Sequence, residues 1–385
     1  MIRLLGLSLL AFAAAPAGEP QLPTARTVGR LEVVATFDGP MPTGVTVSRG
    51  GRIFVNFPRW GDPVDFTVAE LKDGKPVAYP NAEFNRFRKD RPGECLVSVQ
   101  SVVVDPDDRL WILDTGSIGM GPSLAGGPKL VGVDLRTDRV LQMIRFGRDV
   151  APPTTYLNDV RFDLRRGAAG VAYITDSSAE GPNALIVVDL ASGRGRRRFI
   201  DHPSTKADRD FQPIVEGRPL LNRPAPGKPT HLTIGADGIA LSHDGKYLYD
   251  CPLCGRRLYR VRTDALLDET AGDEEAARAV EDLGDRGFAS DGLEADDKGR
   301  IYLTDYEHNA VLRRDSDGSY HTLACDPRLL WPDTMSLAAD GYLYVTANQL
   351  HRQARFHGGK DLRQKPYALF RMKVDAGPVA LRRER

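Results

Sequence analysis

Six positions could set oxygen-bearing side chains around one axis: Thr43, Gln100, Asn158, Asp237, Asp291 and Asp333. Each opens a copy of one short pattern, in which two small or polar residues lead into an alternating apolar run. Three of the six are carboxylates, far more acid than packing alone requires. Like charges held close cost free energy unless they are protonated, solvated or bound to a cation. Carboxylate and amide oxygens without His or Cys suit a hard ion, Ca²⁺ or another divalent cation, with Asn158, Asp237, Asp291 and Asp333 as the expected metal ligands. A carboxyl among like charges also suits proton transfer, and Asp291 and Asp237 are the expected catalytic pair. Asp, Asn and Gly also cap strands and make tight turns everywhere. That simpler role accounts for the hairpin pairs Asp244-Gly245 and Asp340-Gly341.

The elements that position this column are legible as a repeat. VTVS, VVVD, VRFD, IALS, LEAD and MSLA each follow a column residue and its neighbour. A turn comes next, then an aromatic-rich strand ending near Asn56, Asp114, Asp176, Asp250, Asp305 or Asn348. Alternation at period two argues for strands, and Asp-Gly or Gly-Gly between such runs argues for hairpins. Further strand candidates follow each copy, among them KLVGVDL, ALIVVDL, RLYRVRT and AVLRRD. The spacing predicts an all-β, six-bladed β-propeller over residues 28–378. LEVVATFD (Leu31 to Asp38) and YALFRMKV (Tyr367 to Val374) are the strands expected to close the ring, the first as the outer strand of the last blade. The first strand of each propeller blade lines the channel, so the column belongs at one mouth. The second strand runs antiparallel and returns its end to the same face. A Pro- and charge-rich insertion, about His202 to Pro229, is expected to cover one face, and the best helical stretch is Asp273 to Asp282.

Composition excludes several function classes. Lys plus Arg and Asp plus Glu both number 52, so no charge excess is available for nucleic acid. The basic run Arg194 to Arg198 reads as a solvated turn between strands. Residues 1–17, with Arg3 ahead of an apolar stretch and Ala15-Pro16-Ala17, read as a signal peptide. Neither that run nor any later one is long enough to span a bilayer. The expectation is a secreted or periplasmic monomer that meets a small-molecule ligand or substrate. Cys251-Pro252-Leu253-Cys254 is expected to close as a disulfide staple, and Cys95 and Cys325 are a possible second pair. His231, His308 and His351 lie near strand ends, where a base could face the channel. No G-x-S-x-G, H-E-x-x-H or P-loop pattern is present.

The order of many segments resembles the yellow/major royal jelly protein family. These include FVNFPRW, LVSVQSVVVDPDDRLWILDTG, KLVGVDLRTDRV, LNDVRFD, AYITDSS, DHPST, GIALSHDGKYLYDCPLCGRRLYRV, SDGLEADDKGRIYLTDYEHNAV and WPDTMSLAADGYLYVTANQL. The resemblance implies a six-bladed propeller. Insect members are diverse: some convert dopachrome, some bind biogenic amines in the channel, and some are nutritive. By matching segments, Asn348 and Thr334 fall where amine-binding members contact their ligand; Gln100 and Asp305 join them as expected ligand contacts at the mouth. CPLC stands where a serine-bearing loop is more usual, and HRQARFHGGKD, beginning at His351, has no counterpart in the family pattern. LND at Asn158 and SDGL at Asp291 also resemble, more distantly, gluconolactonase/regucalcin-type propellers, whose channel metal sits on Glu, Asn and Asp. That likeness implies a metal-dependent lactonase, although Thr43 stands where the first-blade Glu is expected.

Overall fold

In the computed structural model, which describes residues 26–383, almost all regular structure is β. The expected signal peptide at 1–17 lies outside the described residues. Six four-stranded antiparallel sheets are arranged as blades. Their inner strands are Val45–Val47, Val99–Val104, Leu157–Asp163, Ala236–Leu241, Leu293–Ala295 and Pro332–Leu337, for blades 1 to 6 in order. Each inner strand touches the next, and blade 6 meets blade 1 to close the ring. Blade 6 takes three strands from the C-terminal part and its outer strand, Glu32–Phe37, from the N-terminal part. The six-bladed, terminally closed ring expected from the repeat is therefore the observed one.

Six buried apolar clusters hold the blades together, one at each blade-to-blade contact. Strand pleating explains this: alternate side chains leave opposite faces of a blade, and both faces are covered by neighbours. Trp111 of blade 2 stacks on Phe162 of blade 3, with centroids 5.2 Å apart. A fully buried side chain of this kind contributes about 1.5–3 kcal/mol. The inner strands approach so closely that the residue after the column must be small in two blades. A Cβ on Gly238 would lie 2.5 Å from the Asp291 carbonyl oxygen, and one on Gly292 would lie 2.3 Å from that of Asp333.

Four local expectations are corrected. Within the expected helical stretch, helix forms over Asp273–Ala277 alone; Val280–Asp285 becomes the outer strand of blade 4, paired with Arg257–Arg262. The basic run is not a turn, because Gly195–Arg198 is the outer strand of blade 3. The C-x-x-C staple does not form. Positions three apart on extended chain point to opposite sides. Cys251 accordingly enters the core between blades 4 and 5, while Cys254 enters the cluster between blades 6 and 1. Cys95 and Cys325 do not pair either, since they sit in different parts of the ring, each sulfur directed at backbone carbonyls.

The insertion covers the column's face, as expected. Its short hairpin (Ile214–Val215 with Arg218–Pro219) packs Val215 and Leu220 beside Leu253, Leu350 and Phe356. An ion pair and a hydrogen bond anchor it: Glu216 pairs with Arg352, and the Ile214 amide donates to Glu307 Oε1 at 3.0 Å.

Candidate functional site: an acidic crown under a lid

Strand register decides which side chains meet at the mouth. Leu157, Val99, Ala236 and Pro332 occupy equivalent pairing positions, opposite Asp176, Asp114, Pro252 and Ala347. The next residue in each blade is Asn158, Gln100, Asp237 or Asp333, and the pairing of Leu293 and of Val45 puts Asp291 and Thr43 in the same place. The first column is thus one structural ring, in the register read from the sequence.

Three of its members form a buried acidic cluster. The Asp291 carboxyl lies within hydrogen-bonding reach of both Asp237 and Asp333. Trp331 Nε1 donates to Asp291 Oδ2 at 2.6 Å. Asn348 Nδ2 donates to Asp333 Oδ2 at 2.6 Å, and the Thr334 hydroxyl donates to Asp333 Oδ1 at 3.1 Å. Burial pushes the Asp291 carboxyl up to about 6, against the lowering influence of the Trp331 bond. Burial, then the charge of Asp291, pushes Asp237 and Asp333 well above the usual carboxylate range. At neutral pH the crown therefore retains protons that isolated carboxylates would release.

The remaining column members divide. Gln100 and Asn158 line the crown cavity with the three acids. Gln100 Oε1 accepts from the Tyr156 hydroxyl at 3.1 Å, and that hydroxyl accepts from Trp60 Nε1 at 2.8 Å. Thr43 is structural: its hydroxyl donates to the Gln100 carbonyl at 3.2 Å and accepts from Asn56 Nδ2 at 2.7 Å. Asn348 and Thr334 hold Asp333 in place, and Thr334 also borders the opposite mouth.

The second column is not one ring. Strand pairing gives its structural equivalents as Phe57, Asp114, Asp176, Pro252, Asp305 and Ala347. Three of these are strand caps. Asp114 accepts from the Val97 and Ser98 amides and from Lys129 Nζ, all within 2.9 Å. Asp176 accepts from the Tyr156 amide at 2.9 Å and Arg197 at 2.8 Å. Asp305 accepts from the Glu307 amide at 3.0 Å and lies 2.8 Å from His308 Nδ1, outside the crown cavity. Asp250 falls out of the series two residues early. Neither of its oxygens has a hydrogen-bond partner, and burial pushes its carboxyl up to about 8.

The histidines are not crown residues. His231 is exposed. His308 is held by Asp305, which raises its pKa. His351 is buried against Trp331, with ring centroids 5.9 Å apart, and burial lowers it to about 4. Trp60, Tyr156, Trp331 and Arg355 are the functional neighbours that sequence reading missed. Trp60 comes from an irregular loop, Arg355 from a short 3-10 turn (Ala354–Phe356), and Tyr156 and Trp331 from just ahead of inner strands, where no periodicity marks them.

The cavity they enclose is small, about 20 Å³, room for one water. As donors, the crown's carboxyl and amide oxygens suit a hard cation. Their arrangement is closed upon itself, with the carboxyls of Asp237 and Asp333 close to that of Asp291. Among the described residues, no group of three or more His, Cys, Asp or Glu side chains is disposed to hold a metal. Among the same residues, no helix is long and apolar enough to cross a membrane.

Comparison with solved structures identifies the fold. Regucalcin from Agrobacterium tumefaciens, described as a calcium-binding protein, superposes with a TM-score of 0.54 at 16% identity, covering 92% of this chain and 97% of that one. A gluconolactonase from Xanthomonas campestris gives 0.53 at 12% identity, covering 94% and 99%. Identities this low speak to the propeller alone. Among sequences, Protein yellow of Drosophila melanogaster is 28% identical over 255 residues, which is 61% of this chain and 43% of the insect protein. Major royal jelly protein 1 of Apis mellifera is 28% identical over 223 residues, 55% of this chain and 48% of its own. The chain thus spans less than half the length of these curated relatives. The family model for major royal jelly protein matches residues 97–377, from just ahead of the blade 2 inner strand to past the last strand of blade 6. That span, far more than half of the chain, makes it a member of the major royal jelly protein family.

Proposed function

We propose that this chain is an exported propeller that takes a small aromatic or cyclic molecule onto the acidic crown and moves a proton on it, an isomerisation of the dopachrome-converting type. One observation carries the reading: three buried carboxyls within reach of one another, with Asp291 pushed up to about 6. A general acid or base works best when its pKa lies near the working pH. The ionised fraction of Asp291 accepts a proton from the substrate, and protonated Asp237 or Asp333 returns one to a different atom. Trp331 steadies the carboxylate through its 2.6 Å bond, and Trp60 and Tyr156 give the substrate ring an aromatic wall. We take the protein to act as a monomer on a small molecule outside the cytoplasm, without nucleic acid.

Two other readings use the same residues. An anionic, aromatic-walled mouth favours a cationic amine, held without turnover. The oxygen donors favour a divalent cation on Asn158, Asp237, Asp291 and Asp333, which when bound would polarise a lactone carbonyl. A single assay separates the three. Decay of a dopachrome-type substrate is followed for wild type and Asp291→Asn, with and without chelator. The expected result is a loss of about 10²-fold or more in the variant, with its fold intact, and no effect of chelator. Full turnover in Asp291→Asn removes the proton-transfer reading. Amine binding without turnover leaves the carrier, and lactone hydrolysis that Ca²⁺ restores after chelation leaves the metal enzyme.

A further inference from the structure

A cationic side chain also lines the crown cavity. Arg355 reaches it from the blade 6 loop that begins at His351, and its carbonyl accepts from the Arg223 amide of the insertion at 2.7 Å. Its guanidinium has almost no polar partner. Nη1 meets Met120 Sδ at 3.3 Å, a weak acceptor, and Nε is buried with no hydrogen-bond partner at all. Among the described residues, no carboxylate lies within ion-pair distance of it, although three carboxyls line the same cavity. Burial lowers it only to about 10, so it stays charged at neutral pH. A buried, unpaired guanidinium is a costly thing to fold around. It is also a planar fork of donors matched to a carboxylate.

We propose that Arg355 selects, at the crown of the reading above, ligands that carry a carboxylate. The ligand class is then an aromatic amino acid or its cyclised derivative: carboxylate on Arg355, ring against Trp60 and Tyr156, and the ionisable nitrogen or acidic C–H toward Asp237, Asp291 and Asp333. Entry requires Arg355 to leave the Met120 thioether and the face of the Phe356 ring, whose centroid lies 4.6 Å from its guanidinium carbon, before it turns to the ligand. The inference rests on the crown being the binding site, and the two are separable by experiment.

The probes are matched pairs that differ by the carboxylate, tyrosine against tyramine and DOPA against dopamine. They are titrated calorimetrically into the full chain at neutral pH. Wild type is expected to bind the carboxylated member about tenfold or more tightly. Arg355→Met is expected to erase that preference while tyramine binds as well as before or better. Arg355→Lys, which keeps the charge without the fork, retains part of the preference and serves if the methionine variant does not fold. Equal or tighter tyramine binding by wild type, abolished by Asp291→Asn, overturns the carboxylate inference and keeps the crown. Failure of wild type to bind any of the four overturns both.

Discussion

The two mouths of the channel handle charge in opposite ways. At the lidded mouth, three acids share one small cavity without a cation bonded to them, and they respond by holding protons. At the far mouth, a cleft of about 340 Å³ is bordered by the C-terminal segment from Gly377 to Arg382 and by the Arg161 side chain. There the charge at the channel axis is matched. Arg161 meets Asp159 Oδ2 at 2.9 Å, crosses the channel to the Leu293 carbonyl of blade 5 at 2.6 Å, and sits beside Glu294. Asp159 is also bonded by the Ser101 hydroxyl at 2.7 Å. Matched charge joins blades 2, 3 and 5, while unmatched charge leaves groups free to titrate. One ring of strands thus carries a structural end and a chemical end.

Three measurements would break or sharpen that contrast. Replacing Arg161 with Met strands Asp159 in the interior without its cation, and the expected loss is about 3–5 kcal/mol in denaturant unfolding. A variant as stable as wild type would mean that the far mouth is not the structural end. Next comes the pH dependence of stability at the crown. Asp291 titrates near 6 in the fold and in the usual carboxylate range when unfolded. Its contribution is therefore complete below about pH 4 and disappears as pH rises through about 6. Asp291→Asn should lack this decline, so the variant gains on wild type by about 2–3 kcal/mol between acid and neutral pH. Urea unfolding at the two ends of that range reads it directly, and parallel curves would leave the crown without strain. The smallest effect belongs to Trp331→Phe. Its indole bond lowers the Asp291 pKa, so its loss should raise the ascending limb of the pH–rate profile by about one unit. An unmoved limb would detach Asp291 from the titration that governs turnover.

How far the sequence could see follows the same division. The first column was readable because each member opens an inner strand, and alternation fixes register wherever both faces of a blade are buried. The second column slipped at Asn56, Asp250 and Asn348. That column rests on where an Asp or Asn ends each aromatic-rich run, whereas strand pairing sets the equivalent positions and places Phe57, Pro252 and Ala347 there. The cysteine spacing suggested a staple because it was read as a loop motif; Cys251 proves to be strand, which turns the two sulfurs apart. Arg355 was out of reach for a different reason. It comes from a loop that folds back over the mouth, and only tertiary packing brings it to residues far away in the chain.

The closing of the ring has a consequence for how the protein comes into being. Glu32 and Arg371 are bonded neighbours in blade 6 yet stand 339 positions apart. A ribosome releases the first of them long before it has made the second. Blades 1 to 5 can form in sequence as they emerge, but the last sheet has no outer edge until the earliest segment returns to it. The entropic cost of closing so long a loop grows only slowly with the length of chain between the two strands. Until then the Tyr367–Lys373 strand presents an open edge to any other chain nearby. The assembly is complete only when its oldest strand and its newest one are joined.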